Sequence, residues 1–163
     1  MAMTPRFKAL IPTPVVAQVV HPDIPTNPAT AQVEGTTHNR ALNITVECRG
    51  KAIGRVLVDN GSSLNICPVT TLTQLGCDVS KIRQSGTNVR GFDGSLSDSL
   101  GEIDLEIQVG PASFIAECQV IAITANYNML LGWPWIHSAS AIPSTLHQAM
   151  KFEWQEQEVV MTA

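Results

Sequence analysis

The stretch Gly54–Pro68, "GRVLVDNGSSLNICP", decides how the whole chain is read. A β-rich apolar run, Val56-Leu57-Val58, drives into Asp59-Asn60-Gly61, and small polar residues lead to a second apolar run. Asn-Gly between apolar runs is a leading signal for a plain hairpin turn, because both residues tolerate positive φ. The competing reading presents Asp59 for chemistry. A carboxylate directly after "RVLV" is costly unless it is hydrogen-bonded or used. "VLV" supplies a buried strand to hold it, and Gly61, Ser62 and Ser63 supply backbone and hydroxyl donors.

Outward from this stretch the punctuation is that of strands. "ALNITVECRG" alternates, with Leu42, Ile44 and Val46 on one face, and the turn Arg49-Gly50-Lys51 joins it to "KAIGRVLVD" as a hairpin. "SSLNIC" predicts a third short strand. "PVTTLTQLG" predicts a short helix, with Pro68 in its first turn, Val69, Leu72 and Leu75 on one face, and Gly76 at its end. A hairpin turn is expected at Asp93-Gly94. Beyond it Ile103, Leu105, Ile107 and Val109 alternate with Asp104, Glu106 and Gln108, a period-two strand. Gly110-Pro111 turns the chain into "SFIAECQVIAI", another strand. "NMLLG" is a short strand ending in Gly132, "PWIHSAS" one or two helical turns, and "MKFEW" with "EVVMT" a last hairpin around Gln155 to Gln157. The pattern is mainly β, with short strands and two short helices, and it predicts a small barrel or sandwich.

Composition bounds the function. The 163 residues suit one domain, and six of the ten prolines precede position 30. Proline removes backbone donors and biases its predecessor toward extended conformation. Residues 1–38 therefore read as a Pro-rich flexible linker and 39–163 as the domain. The net charge of −4 leaves no electrostatic footprint for nucleic acid or an anionic membrane. Charged residues are 15% of the chain, below the roughly 25% of an average domain, which is compatible with surface hidden between subunits. Cys48, Cys67, Cys77 and Cys118 have no C-x-x-C spacing, and the four histidines form no H-x-x-x-H pair, so no zinc site is expected. The cysteines read as reduced core residues. "KALIPTPVVAQVV" is interrupted by Pro12 and Pro14 and is not read as a signal peptide. No run of about 18 apolar residues exists to span a membrane.

Three motifs in order carry a resemblance. "VLVDNGSSLNICP" resembles the active-site signature of retropepsin-like aspartic proteases. "VRGFDGSLSDSLGEI" resembles their flap hairpin, and "YNMLLGWPWIH" their second signature, an apolar pair before Gly and then a short helix. "ALNITVECRG" and "AIPSTLHQAMKFEW" resemble the version found in plant gypsy-type retrotransposon polyproteins. The match spans about residues 38 to 155. It implies a small closed β-barrel of the retropepsin type and an aspartic endopeptidase that processes a polyprotein. With one Asp-x-Gly motif per chain, it implies a homodimer in which two Asp59 carboxylates share a proton and activate a water.

The resemblance assigns roles by position. Asp59 is the catalytic carboxylate, supported by Asn60, Gly61 and Ser62. Val89, Arg90, Gly91, Phe92, Asp93 and Gly94 form the flap over the bound peptide, with Gly91 or Gly94 supplying flexibility. Met129, Leu130, Leu131 and Gly132 pack beneath the catalytic loop. It implies no cofactor and no metal. The expected partners are a second copy and a peptide or polyprotein substrate, with neither nucleic acid nor membrane, in the cytoplasm. Two positions depart from the family. Asn60 stands where a Thr or Ser usually bonds across the dimer, and Trp133 where relatives often carry Arg, which removes an ion pair. The alternative is the same fold serving as a catalytically degenerate dimerisation or peptide-binding module. Asp93 and His137 read as a turn residue and a helix or core residue, and Ser62 and Ser63 have no evident His/Asp partners for a serine hydrolase.

Overall fold

The structure is a computed structural model, and it describes residues 40–84, 88–90 and 96–163. The linker expected over residues 1–38 lies outside the described residues. So do Gly91, Phe92, Asp93 and Gly94, and with them the turn expected at Asp93-Gly94.

The chain is mainly β. Strands β1 (Leu42–Cys48), β2 (Lys51–Val58) and β3 (Asn65–Pro68) precede helix α1 (Val69–Leu75) and a single 3-10 turn at Val79–Lys81. Strands β4 (Asn88–Arg90), β5 (Leu96–Val109), β6 (Ala112–Ile121) and β7 (Met129–Leu131) follow. Helix α2 (Trp133–Ser138) leads into β8 (Ile142–Ser144), β9 (Ala149–Trp154) and β10 (Gln157–Thr162). The large sheet runs β1-β2-β7-β3-β6-β5-β4, and β1 also pairs with β5. That pairing closes a six-stranded barrel, with β4 as an arm on β5. Strands β8, β9 and β10 form a separate sheet.

Alternation fills the barrel. Val56, Val58, Cys67, Val120, Met129 and Leu131 point inward, where they join Leu42, Ile44, Val46, Ile103, Leu105, Ile107 and Val109 in the main core. Their neighbours of opposite parity point outward. Leu57, Ile66, Ile121 and Leu130 form a second apolar layer on the outer face, against which Leu64 and Tyr127 pack. Trp135 of α2 is buried and meets the edge of Phe114 at 5.4 Å, and Phe114 meets Phe152 at 5.7 Å. These ring pairs join α2 and the terminal sheet to the barrel.

Local chemistry explains the element ends. Arg49 (φ 53°) and Gly50 (φ 78°) are both left-handed and close the β1–β2 hairpin, with Cys48 opposite Lys51. Pro68 caps α1 in extended conformation rather than opening its first turn, and Gly76 ends the helix at φ 70° with its N–H on the Thr73 carbonyl. Arg55 (φ 53°) sits in a bulge, where pairing jumps from Ile44–Val56 to Val46–Ile53. Strand β5 bends at Gly101 (φ 139°), where a Cβ would lie 2.1 Å from the Arg83 carbonyl oxygen. The bend lets one strand of 14 residues serve both the barrel and the β4 arm.

Two further sequence expectations are corrected. The third strand begins at Asn65, because Ser62 to Leu64 belong to the preceding loop. Gln108 is buried, because β1 closes over β5 there and sets Glu47 opposite it. The edge strand β8 was not foreseen, since three residues containing a proline carry no periodic signal. All four cysteines are free thiols, and three of them are buried.

Candidate active site

Strand β2 runs parallel to β7, with Val58 opposite Leu131. The ladder continues one step past the strand, since the Asp59 N–H donates to the Leu131 carbonyl at 3.0 Å. Asp59 therefore leaves the barrel with its backbone fixed and its parity matching Leu57, toward the outer apolar layer. The side chain is half-buried, and its Oδ1 accepts the Gly61 N–H at 2.9 Å. The Asp59 carbonyl accepts the Ser62 N–H at 3.2 Å. The loop is thus a turn over Asp59 to Ser62 whose first side chain folds back on its own backbone.

This turn is not the hairpin turn that Asn-Gly predicts. Neither Asn60 nor Gly61 has left-handed φ, which excludes the primed turns that join antiparallel strands. Beyond the turn the chain enters β3, which lies antiparallel to β7 and parallel to β6. Strand β7 therefore separates β2 from β3, and these two strands do not pair with each other. Gly61 instead leaves room beside the carboxylate. A Cβ there would stand 3.2 Å from Asp59 Oδ1 and press on the carboxylate.

The loop is locked from below by Gly132 and Asn65. The Trp133 N–H donates to the Ser62 carbonyl at 2.8 Å, and the Gly132 N–H donates to Asn65 Oδ1 at 2.9 Å. Asn65 is buried, and its Nδ2 reaches the Glu117 carbonyl of β6 at 3.1 Å. Gly132 lies so close beneath the loop that a Cβ would fall 2.2 Å from the Leu64 carbonyl oxygen and 2.7 Å from that of Ser62. Its backbone is extended, so the glycine is needed for close approach and not for an unusual φ.

Asp59, Asn60, Gly61, Ser62, Leu130, Leu131 and Gly132 are thus brought together. The Ser62 hydroxyl does not hold the carboxylate. It donates to the Leu64 carbonyl at 2.8 Å, and Ser62 meets Asp59 only through its backbone N–H. The Asn60 side chain is exposed and forms no hydrogen bond with the described residues. Val89 and Arg90 lie on β4, whose backbone pairs with Ser97 and Leu96 of β5. Trp133 is 52% exposed and stacks obliquely on His137 at 5.4 Å.

The sequence reading missed Asn65, whose only signal was an amide between Leu64 and Ile66. It also missed the anchoring of the segment before β7. Arg55 Nη2 donates to the Asn126 carbonyl at 2.6 Å, Asn128 Nδ2 to Gly54 at 2.8 Å, and Thr71 Oγ1 to Asn128 at 2.6 Å. These bonds fix Tyr127 beside the outer layer, where burial raises its phenol pKa. Among the described residues no group of His, Cys, Asp and Glu is arranged to hold a metal ion.

Closed barrel, loop and helix together define a retropepsin-like fold. The retroviral protease-like domain of Ddi1 from Leishmania major superposes with a TM-score of 0.58 at 14% identity, over 76% of this chain and 96% of that one. A retropepsin-like aspartic protease from Rickettsia conorii gives 0.47 at 17% identity, over 76% and 85%. EIAV protease complexed with the inhibitor HBY-793 gives 0.49 at 16% identity, over 63% and 90%. No protein-family model matches the sequence, and no curated protein matches it.

Proposed function

We propose that the chain is a homodimeric aspartic endopeptidase to which each subunit contributes Asp59, and that it processes a retrotransposon polyprotein of the plant gypsy type. The observation that carries the reading is the fixed presentation of Asp59. Its backbone is tied to β7, its carboxylate is held by one N–H, and its remaining acceptor capacity is not claimed by any described residue. The apolar layer of Leu57, Ile66, Ile121 and Leu130 is itself buried and serves as packing, not as an open peptide surface.

The chemistry follows from pairing two such loops. Two carboxylates at contact distance cannot both ionise readily, so the pair holds one proton and titrates as a unit. The ionised member takes a proton from a water lodged between them. That water attacks the scissile carbonyl carbon, and the protonated member donates to the developing oxyanion. In this reading, residues 89–94 take the role the resemblance assigns them and cover the bound peptide. Asn60, whose side chain forms no hydrogen bond with the described residues, would engage the partner's loop through its amide.

Cleavage of peptides, inhibited by pepstatin and abolished in Asp59→Ala, tests the reading. Unchanged cleavage in that variant overturns it. Asn60 motivates the second reading, a degenerate module that dimerises or binds peptide without cutting. Asn60→Thr separates the two. Activity that appears only in the Thr variant favours the degenerate module, and equal activity in parent and variant favours the enzyme.

A further inference from the structure

Strand β2 separates two poles of the barrel. Asp59 lies at one end, and the Arg49-Gly50 turn lies at the other, about 25 Å away at roughly 3.3 Å per residue. The far pole contains a cavity of about 500 Å³ whose lining includes Cys48, Arg49, Cys77, Lys81, Asp104 and Glu106. Two of the four cysteines thus face one space. Cys77 is half-buried just after the α1 cap, and Cys48 is 1% exposed at the end of β1. The turn is docked on the helix end, since Arg49 Nε donates to the Leu75 carbonyl at 3.2 Å and Lys51 Nζ to that of Gln74 at 2.8 Å. Both thiols pack against the same core cluster. Cys67 and Cys118 are fully buried and do not line the cavity.

We propose that Cys48 and Cys77 form a thiol pair that exchanges with small disulfides entering this cavity. The Cys77 thiolate attacks one sulfur of a disulfide RSSR. The S–S bond breaks, a mixed disulfide forms on Cys77, and one RSH leaves after taking up a proton. The Cys48 thiolate then attacks the Cys77 sulfur, the mixed disulfide breaks, and the Cys48–Cys77 bond forms as the second RSH leaves. Two protein thiols are oxidised and the small disulfide is reduced to two thiols. Burial, then the neighbouring Cys77, push the Cys48 thiol up to about 11, so the second step is the slow one and quickens with pH. Closure ties the β1–β2 turn to the end of α1.

The test incubates the full chain with hydroxyethyl disulfide near pH 8, quenches with an alkylating agent and maps the peptides by mass. The expected product is a Cys48–Cys77 link with Cys67 and Cys118 still reduced, and a melting temperature raised by roughly 10 °C. Cys77→Ser should block all reaction, and Cys48→Ser should stop at the mixed disulfide on Cys77. Cys48 is buried, so its variant is backed by early quenching of the parent, which should trap the same mixed disulfide first. A Cys67–Cys77 link, a parent that never proceeds past the mixed disulfide, or four unreacted thiols overturns the proposal.

Discussion

The two ends of β2 carry two turns built from similar residue types, and they do different things. At Arg49-Gly50 both residues are left-handed, and the chain returns along the strand it came from. At Asp59-Asn60-Gly61 neither Asn60 nor Gly61 is left-handed, and the chain passes on to a strand separated from β2 by β7. Arg-Gly is the poorer hairpin signal on paper and Asn-Gly the better one. The difference lies in what stands beside the chain. Strand β7 occupies the place where a returning strand would pair, and its Leu131 carbonyl takes the Asp59 N–H. The turn that looks most like a turn is bent instead around a carboxylate.

The contrast breaks most completely at Gly132. Gly132→Ala sets a Cβ against the Leu64 and Ser62 carbonyl oxygens. It should cost at least about 3 kcal/mol in denaturant unfolding and abolish cleavage, because backbone cannot yield as a side chain can. Asn65→Ala comes next. It orphans the Gly132 N–H and the amide's contact with the Glu117 carbonyl, and should cost about 2 kcal/mol. Gly61→Ala should leave the melting temperature nearly unchanged. By crowding Asp59 Oδ1 it should lower kcat/KM by on the order of 10- to 100-fold. The mirror-image control is Gly50→Ala, at φ 78° with open space around it. It should cost about 1 kcal/mol through backbone strain alone and leave kcat/KM unchanged. Equal loss of activity from Gly50→Ala and Gly61→Ala would erase the distinction between the two poles.

A separate effect should appear in alkali. Burial, then the neighbouring Cys77, push the Cys67 thiol up to about 12, and Cys48 stands at about 11, against an ordinary value of 9.0. The folded state keeps these protons where the unfolded chain releases them. Their contribution is therefore fully present below pH 9 and lost as pH rises through 11 to 12. Between pH 9 and those folded values stability should fall by up to about 1.4 kcal/mol per pH unit for each thiol. A urea midpoint unchanged from pH 8 to pH 10.5 would contradict this.

Much was legible in the sequence because local signals agreed with tertiary context. The alternation of Ile103, Leu105, Ile107 and Val109 gave their burial directly. Gly76 marked the end of α1, because an L-residue there would pay for a left-handed φ. Asp59 stood out as a carboxylate after a buried strand. Asn65 did not, because an amide inside an apolar run gives no hint of which backbone groups it will satisfy. The Ser62 hydroxyl, expected to support Asp59, donates instead to the Leu64 carbonyl.

By itself, then, the sequence determined the strand periodicity, the two short helices and the position of the half-buried carboxylate. These depend on hydrophobic pattern and on residues within a few positions of one another. Only the tertiary structure decided that Asn60-Gly61 would not form a hairpin turn, that Asn65 would tie the loop to Gly132 and β6, and that Cys48 and Cys77 would share a cavity. Each of these is set by a contact between segments tens of residues apart. Such a contact forms only after the barrel has closed, and no local propensity records it.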